Sequence, residues 1–254
     1  MTETVVTDHP PDSGDGKIMT VVEHLSELRR RIIVSFAVIA IGAAVGFWLA
    51  PDAIRFLKTP ISQPLYFTAP SSAFFIQLKL ALMIGIALAS PILLYQLWAF
   101  IAPGLTPRER RLALPWVPLG LVFLALGVSV AWFILPFAVG FMLGFAIPGV
   151  MDPLITADAY FGFVTNLFLA FGLVMEFPIV LVLLSKVGIV SAERLRRNRR
   201  YVFLAIFVFA VVVTPGGDPY SPTVMGLVMY ILYELTIRLV ARGDKSRAEE
   251  GAGG

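Results

Sequence analysis

Three carboxylates are distinguished by what surrounds them. Glu27 lies in HLSELRRR (24–31), followed after Leu28 by Arg29, Arg30 and Arg31. Glu109 lies in PGLTPRERR (103–111), flanked by Arg108 and Arg110. Glu176 lies in FGLVMEFPIV (171–180), alone in a run from Tyr160 to Ser185 that has no Lys, no Arg and no other acid. An ionised carboxylate accepts paired hydrogen bonds from a guanidinium. Glu27 and Glu109, held at one membrane face beside dense arginine clusters, could therefore receive a cationic peptide. Each also has a plain local use. Glu27 precedes Arg31 by one turn, which suits an i,i+4 ion pair worth a few tenths of a kcal/mol. Glu109 follows Thr106 by three with Pro107 between, the pattern of a capping box that opens a helix. Spacing alone leaves both uses open.

Glu176 poses a different problem. A charged acid at mid-bilayer costs roughly 2.5–3.5 kcal/mol on insertion scales, so it must face protein or water, or carry a proton. Pro178 has no N–H for the carbonyl of Val174, which predicts a bend at this point. Glu176 is either a neutral partner of that broken turn or a polar group lining an intramembrane hollow. Other chemistries are excluded more firmly. There is no cysteine, so no disulfide, thiol nucleophile or thiolate metal site. His9 and His24 are the two histidines, and neither has a second ligand at metal spacing. No phosphate-binding loop and no nucleophile elbow occurs. The expectation is a protein that is not an enzyme and takes no cofactor, metal or nucleic acid.

The elements that must carry these residues follow from composition. The 254 residues are 58% apolar and 15% charged, against about a quarter charged in soluble domains. This is an all-α integral membrane protein. Residues 1–18 read as a disordered tail, 19–240 as the transmembrane domain and 241–254 as a second tail. Thr20 and Glu23 predict a capping box opening a helix that runs into a first span, Ile32–Ala50. The second span is expected from about Ala73 to Ile101, with Pro91 as a kink. The third starts near Leu112 and should end before Pro136, followed by a Phe- and Gly-rich cap at the interface. The fourth is Tyr160–Val187. The last two, 201–213 and about 222–239, are short: thirteen residues make about 20 Å of helix against a hydrocarbon core of about 30 Å. They form a hairpin around TPGGDPYSP that stops inside the protein, sits in thinned bilayer, or relies on snorkelling side chains. The short pair would leave span four exposed on a concave side, with Glu176 pointing into the hollow. The motifs Gly42–Gly46 and Gly140–Gly144 read as tight internal packing.

Charge sets the orientation. Seventeen of the twenty Lys and Arg residues fall on the termini and on the loops after spans two and four. Only Arg55, Lys58 and the membrane-proximal Lys79 fall elsewhere. The positive-inside rule then predicts six spans with both termini in the cytoplasm.

HLSELRRR, SPILLYQLWAFIAPGLTPRERR, FGLVMEFPIVLVLL, LRRNRRYVFLAIFV and TPGGDP, in this order over about residues 20–240, resemble TatC, the polytopic subunit of the twin-arginine protein translocase. The resemblance implies a six-span, glove-like bundle of the bacterial cytoplasmic membrane, with helices five and six short. It implies that signal peptides with consecutive arginines, carried by folded cargo, bind at Glu109, Phe100 and Glu27, with Arg29 as a neighbouring basic residue. It implies partners, the single-span subunits TatA and TatB, docking around Val211, Val212, Thr214 and Asp218, as well as further copies of the chain. Pro60 and Pro91 match prolines of functional or structural weight in the family, and the proton-motive force would drive the process. This chain departs from the family in its TPGGD turn, which carries an extra residue, in Ser221-Pro222, and in Thr106, where an aromatic is common. A small proton-coupled secondary transporter using Glu176 is the alternative, although no repeat symmetry supports it.

Overall fold

The computed structural model describes residues 21–104, 116–186 and 190–252. Its helices are α1 (Val21–Lys58), α2 (Ser72–Ile101, continued by a 3₁₀ turn at Ala102–Gly104) and α3 (Trp116–Leu143). Then come α4 (Ala157–Met175), α5 (Phe177–Lys186), α6 (Ala192–Arg197), α7 (Arg199–Val213) and α8 (Tyr220–Ala252). Two isolated β-bridges are the sole sheet-like pairing among the described residues.

Among the described residues, five segments are long and apolar enough to cross a membrane: Val22–Lys58, Ser72–Ile101, Pro118–Leu143, Ala157–Val182 and Tyr220–Ala241. The last of these is the shortest, at 22 residues, and α7 has only 15 residues, about 22 Å of helix. Of the two closing helices only α7 is short. The expectation of a second short helix at about 222–239 is corrected, because α8 offers a 22-residue segment long enough to cross. Helix α8 also continues to Ala252, into the segment expected to be a tail. Its Ala, Glu, Lys and Arg residues are strong helix formers, which favours that extension.

Proline does not end helices here as the sequence suggests. The third span passes through Pro136 and stops at Leu143. Ile134, Leu135, Ala138 and Val139 on either side are buried in the core, and this packing outweighs the hydrogen bond lost at Pro136. Helix α1 likewise runs through Pro51, with Ala50 before it and Leu57 beyond it both buried in the core. In α2, Pro91 leaves the carbonyl of Ala87 without its helical donor, and the hydroxyl of Ser90 donates to that carbonyl at 2.7 Å. The Ser-Pro step supplies its own repair.

Helices α1 and α2 form an antiparallel pair at near-backbone contact. A Cβ on Gly85 would lie 2.4 Å from the amide nitrogen of Ala43, and one on Gly46 would lie 2.4 Å from the carbonyl of Ala81. Gly42 faces Gly85 in the same way, so the first GxxxG motif is an intramolecular seam. The second motif is not: a Cβ on Gly140 would meet nothing within 4 Å. At the loop end of this pair, Tyr66 accepts from the amide of Ala157 and donates its own to Ile155. Tyr160 donates its hydroxyl to the carbonyl of Leu57 at 2.5 Å, in the last turn of α1. These contacts tie the connection after α1 to the start of α4.

The core gathers on α4, through Tyr160, Phe161, Val164, Leu167, Phe168 and Phe171. Of the five long spans, α4–α5 is the most enclosed, which corrects the expectation that the short hairpin leaves it exposed. Helix α8 packs against α5, α6 and α7 and closes that side. Tyr233 donates to the carbonyl of Leu195 at 2.8 Å, and Arg199 pairs with Glu234 at 2.9 Å, fixing α6 and α7 onto α8.

Candidate binding site at the junction of α1 and α2

The first turns of α1 meet the last turns of α2. Helical spacing places His24, Glu27 and Arg31 on one face, at i, i+3 and i+7. Opposite them, Gln96 and Phe100 are one turn apart on α2. The Nε of Arg31 donates to Oε1 of Glu27 at 3.0 Å, and a second guanidinium nitrogen donates to the same oxygen. The third nitrogen, Nη1, donates to Oε1 of Gln96 at 3.0 Å. Arg31 is thereby fixed at both ends. The expected local ion pair of Glu27 does form, and it uses only one of the two carboxylate oxygens. The other, Oε2, is buried without a hydrogen-bond partner, 4.0 Å from Nδ1 of His24. The His24 ring lies flat on Phe100, with centroids 4.4 Å apart and planes 15° apart.

The structure therefore brings Glu27 and Phe100 together through His24. Arg29 is not part of the group: it lies about 200° round the helix from Glu27. It is exposed, beside a shallow depression lined by Ser26, Arg30, Ile33 and Val34. Glu109 and Thr106 lie outside the described residues. His24 and Gln96 were not foreseen as members. Helical spacing from Glu27 and Phe100 could have found both, but only if the α1–α2 pairing was already known.

Glu176 sits at the break between α4 and α5. The amides of Ile179 and Val180 bond to its carbonyl, while Pro178 has no amide to offer Val174. Both carboxylate oxygens are buried without a hydrogen-bond partner, so the expected bond to the broken turn is not made. A Cβ on Gly120 would lie 3.1 Å from Oε2 of Glu176. The carboxylate therefore abuts α3, among Leu94 and Ile179, rather than opening onto a bare concave face.

The residues expected to dock partner helices separate into two environments. Val211 and Val212 are exposed at the end of α7, and Thr214 caps it, its hydroxyl donating to the carbonyl of Ala210. Asp218 is buried, and its Oδ1 accepts from the amide of Ser221 at 2.7 Å to cap α8. It belongs to the turn rather than to the exposed face. Gly216, at φ 109°, sets that turn against Met142 and Phe163. Pro60 is half-buried just after α1, between Thr59 and Ile61, whose amides bond back to Phe56 and Lys58. Pro91 is exposed on α2.

Comparison with known proteins bears on the fold and the family. The family model described as Sec-independent protein translocase protein (TatC) matches residues 23–227. The chain is 38% identical over 227 residues to the protein of that name from Carboxydothermus hydrogenoformans, covering 88% of this chain and 93% of the relative. It is 35% identical over 238 residues to that from Aquifex aeolicus, covering 91% and 98%. A crystal structure described as the twin arginine translocase receptor TatC in DDM matches with a TM-score of 0.75 at 35% identity, over 86% of this chain and 99% of the other. With the family model spanning most of its length, and with the fold and the relatives in accord, the chain belongs to the TatC family of Sec-independent protein translocase proteins.

Proposed function

We propose that this chain is the core subunit of a twin-arginine translocase. It binds the arginine pair of a folded cargo's signal peptide at the junction of α1 and α2, with Glu27 and Phe100 as contacts and Glu109 from the adjoining loop. The observation that carries this reading is the second oxygen of Glu27. It is buried without a hydrogen-bond partner and is linked to the Phe100 ring through His24, a combination suited to a planar guanidinium that bonds edge-on and stacks face-on. The seventeen-to-three division of basic residues supports a cytoplasmic position for this site and for both termini. In this reading the chain is not an enzyme. It works in the cytoplasmic membrane with single-span TatA and TatB helices and with further copies of itself, and the proton-motive force drives transport. The exposed Val211 and Val212 supply a face for a partner helix.

Export of a folded reporter carrying an arginine-pair signal tests the site. Replacing Glu27 or Glu109 with Ala removes a charge-assisted acceptor, so signal-peptide cross-linking should fall by about tenfold or more and export should fail, with the protein still accumulating. Unchanged cross-linking in both variants would refute the assignment. The transporter alternative requires proton-coupled solute uptake by the chain alone, and family membership gives it no support.

A further inference from the structure

His24 has no task in the recognition reading. We propose that it is an internal placeholder for the incoming guanidinium. Its imidazole lies on Phe100 and against Oε2 of Glu27, in the position that the signal-peptide arginine takes, and it swings out when the peptide binds. This inference rests on the reading of Glu27 and Phe100 as the recognition contacts.

Imidazole and guanidinium are both planar, present N–H groups at their edges and stack on aromatic faces. At 4.4 Å and 15°, the His24 ring uses the Phe100 face as a guanidinium would. Its Nδ1, 4.0 Å from Oε2, is too far for a hydrogen bond, so the oxygen is covered without being satisfied. Oε1 is unavailable to a newcomer, because Arg31 occupies it and Gln96 holds Arg31 in place. A new donor must therefore come to Oε2, where His24 stands. The cover is also easily removed. His24 lies in the opening turns of α1, and its side chain is 45% exposed, so rotation about its own torsions clears the site without disturbing the core. The resting site is thus shielded by a group that mimics the ligand but binds less well than an arginine making two bonds.

The test uses the full chain in lipid nanodiscs and a fluorescent synthetic signal peptide with a consecutive arginine pair. Removing the placeholder in His24→Ala should tighten binding about threefold to tenfold, the population cost of displacing one aromatic stack. His24→Gln, which keeps a polar side chain but no ring, should tighten it too and guards against a folding defect in the alanine variant. His24→Trp, with a larger ring on Phe100, should weaken it. A residue that only braces α1 would weaken binding in all three. If Glu27→Ala abolishes binding while His24→Ala and His24→Gln leave it unchanged or weaker, the placeholder is wrong and the recognition site stands. If Glu27→Ala leaves affinity unaltered, or the unmodified chain does not bind the peptide, both fall together.

Discussion

Two glutamates illustrate how burial divides the work of one residue type. Glu27 has one oxygen committed to Arg31 and one buried without a hydrogen-bond partner, 4.0 Å from Nδ1 of His24, so in the proposed reading it keeps its place in the helix while receiving a ligand. Glu176 has no hydrogen-bond partner for either oxygen and lies among Leu94, Ile179 and Gly120. A buried polar group without a partner is destabilising by about 1–3 kcal/mol. Glu176→Leu should therefore raise the thermal stability of the purified protein by a few degrees, since leucine suits that apolar setting. If the carboxylate serves transport, the same variant should lose export of a folded reporter. A lower unfolding temperature in Glu176→Leu would show that the carboxylate has a structural partner after all.

At the scale of elements, the α1–α2 pair is held by its glycines. Gly42, Gly46 and Gly85 bring two backbones together where a methyl group would already overlap main-chain atoms. Gly85→Leu should separate the pair and lower stability by roughly 1–3 kcal/mol or more, through forced shifts of both helices. Gly140→Ala makes the contrast: its Cβ meets nothing, and alanine within a helix is favoured by roughly 0.5–1 kcal/mol. Thermal unfolding of the two variants should shift in opposite directions, and equal losses would refute the assignment of the seam to the first motif alone. The same pair positions the candidate site, since Glu27 and Phe100 both lie against His24 only because α1 and α2 run antiparallel in this register. Pro91 and Pro136 show the limit of local rules: a neighbouring hydroxyl or a well-packed stripe on either side keeps each helix intact.

For the whole molecule, the arrangement follows from unequal spans. Helix α7, about 22 Å long, is shorter than a core of about 30 Å, and the Gly-Gly turn after it lies against Met142 and Phe163, beside the ends of the longer helices. Orientation can be measured directly, because the chain has no native cysteine to give background. Asp152 and Glu193 are both exposed. Asp152→Cys should react with a membrane-impermeant maleimide in intact cells, and Glu193→Cys only after the membrane is opened. Reversed labelling would overturn the proposed topology and, with it, the cytoplasmic placement of the binding site.

The sequence by itself determined the class of fold, the approximate spans and the shortness of α7, because apolar length and helix breakers are read locally. It also marked Glu27, a carboxylate beside an arginine cluster, while Phe100 was marked only by the resemblance to TatC. It did not determine where helices pass through proline or which glycines meet a neighbour. Nor did it reveal that Asp218 turns inward as a cap, or that Arg29 points away from Glu27. Those outcomes depend on which faces of distant helices meet, and a linear pattern fixes each face without naming its partner. Only the tertiary structure placed His24 on Phe100 and left one oxygen of Glu27 unpaired, because the register of α1 against α2 is set by close backbone packing three to four turns from the site.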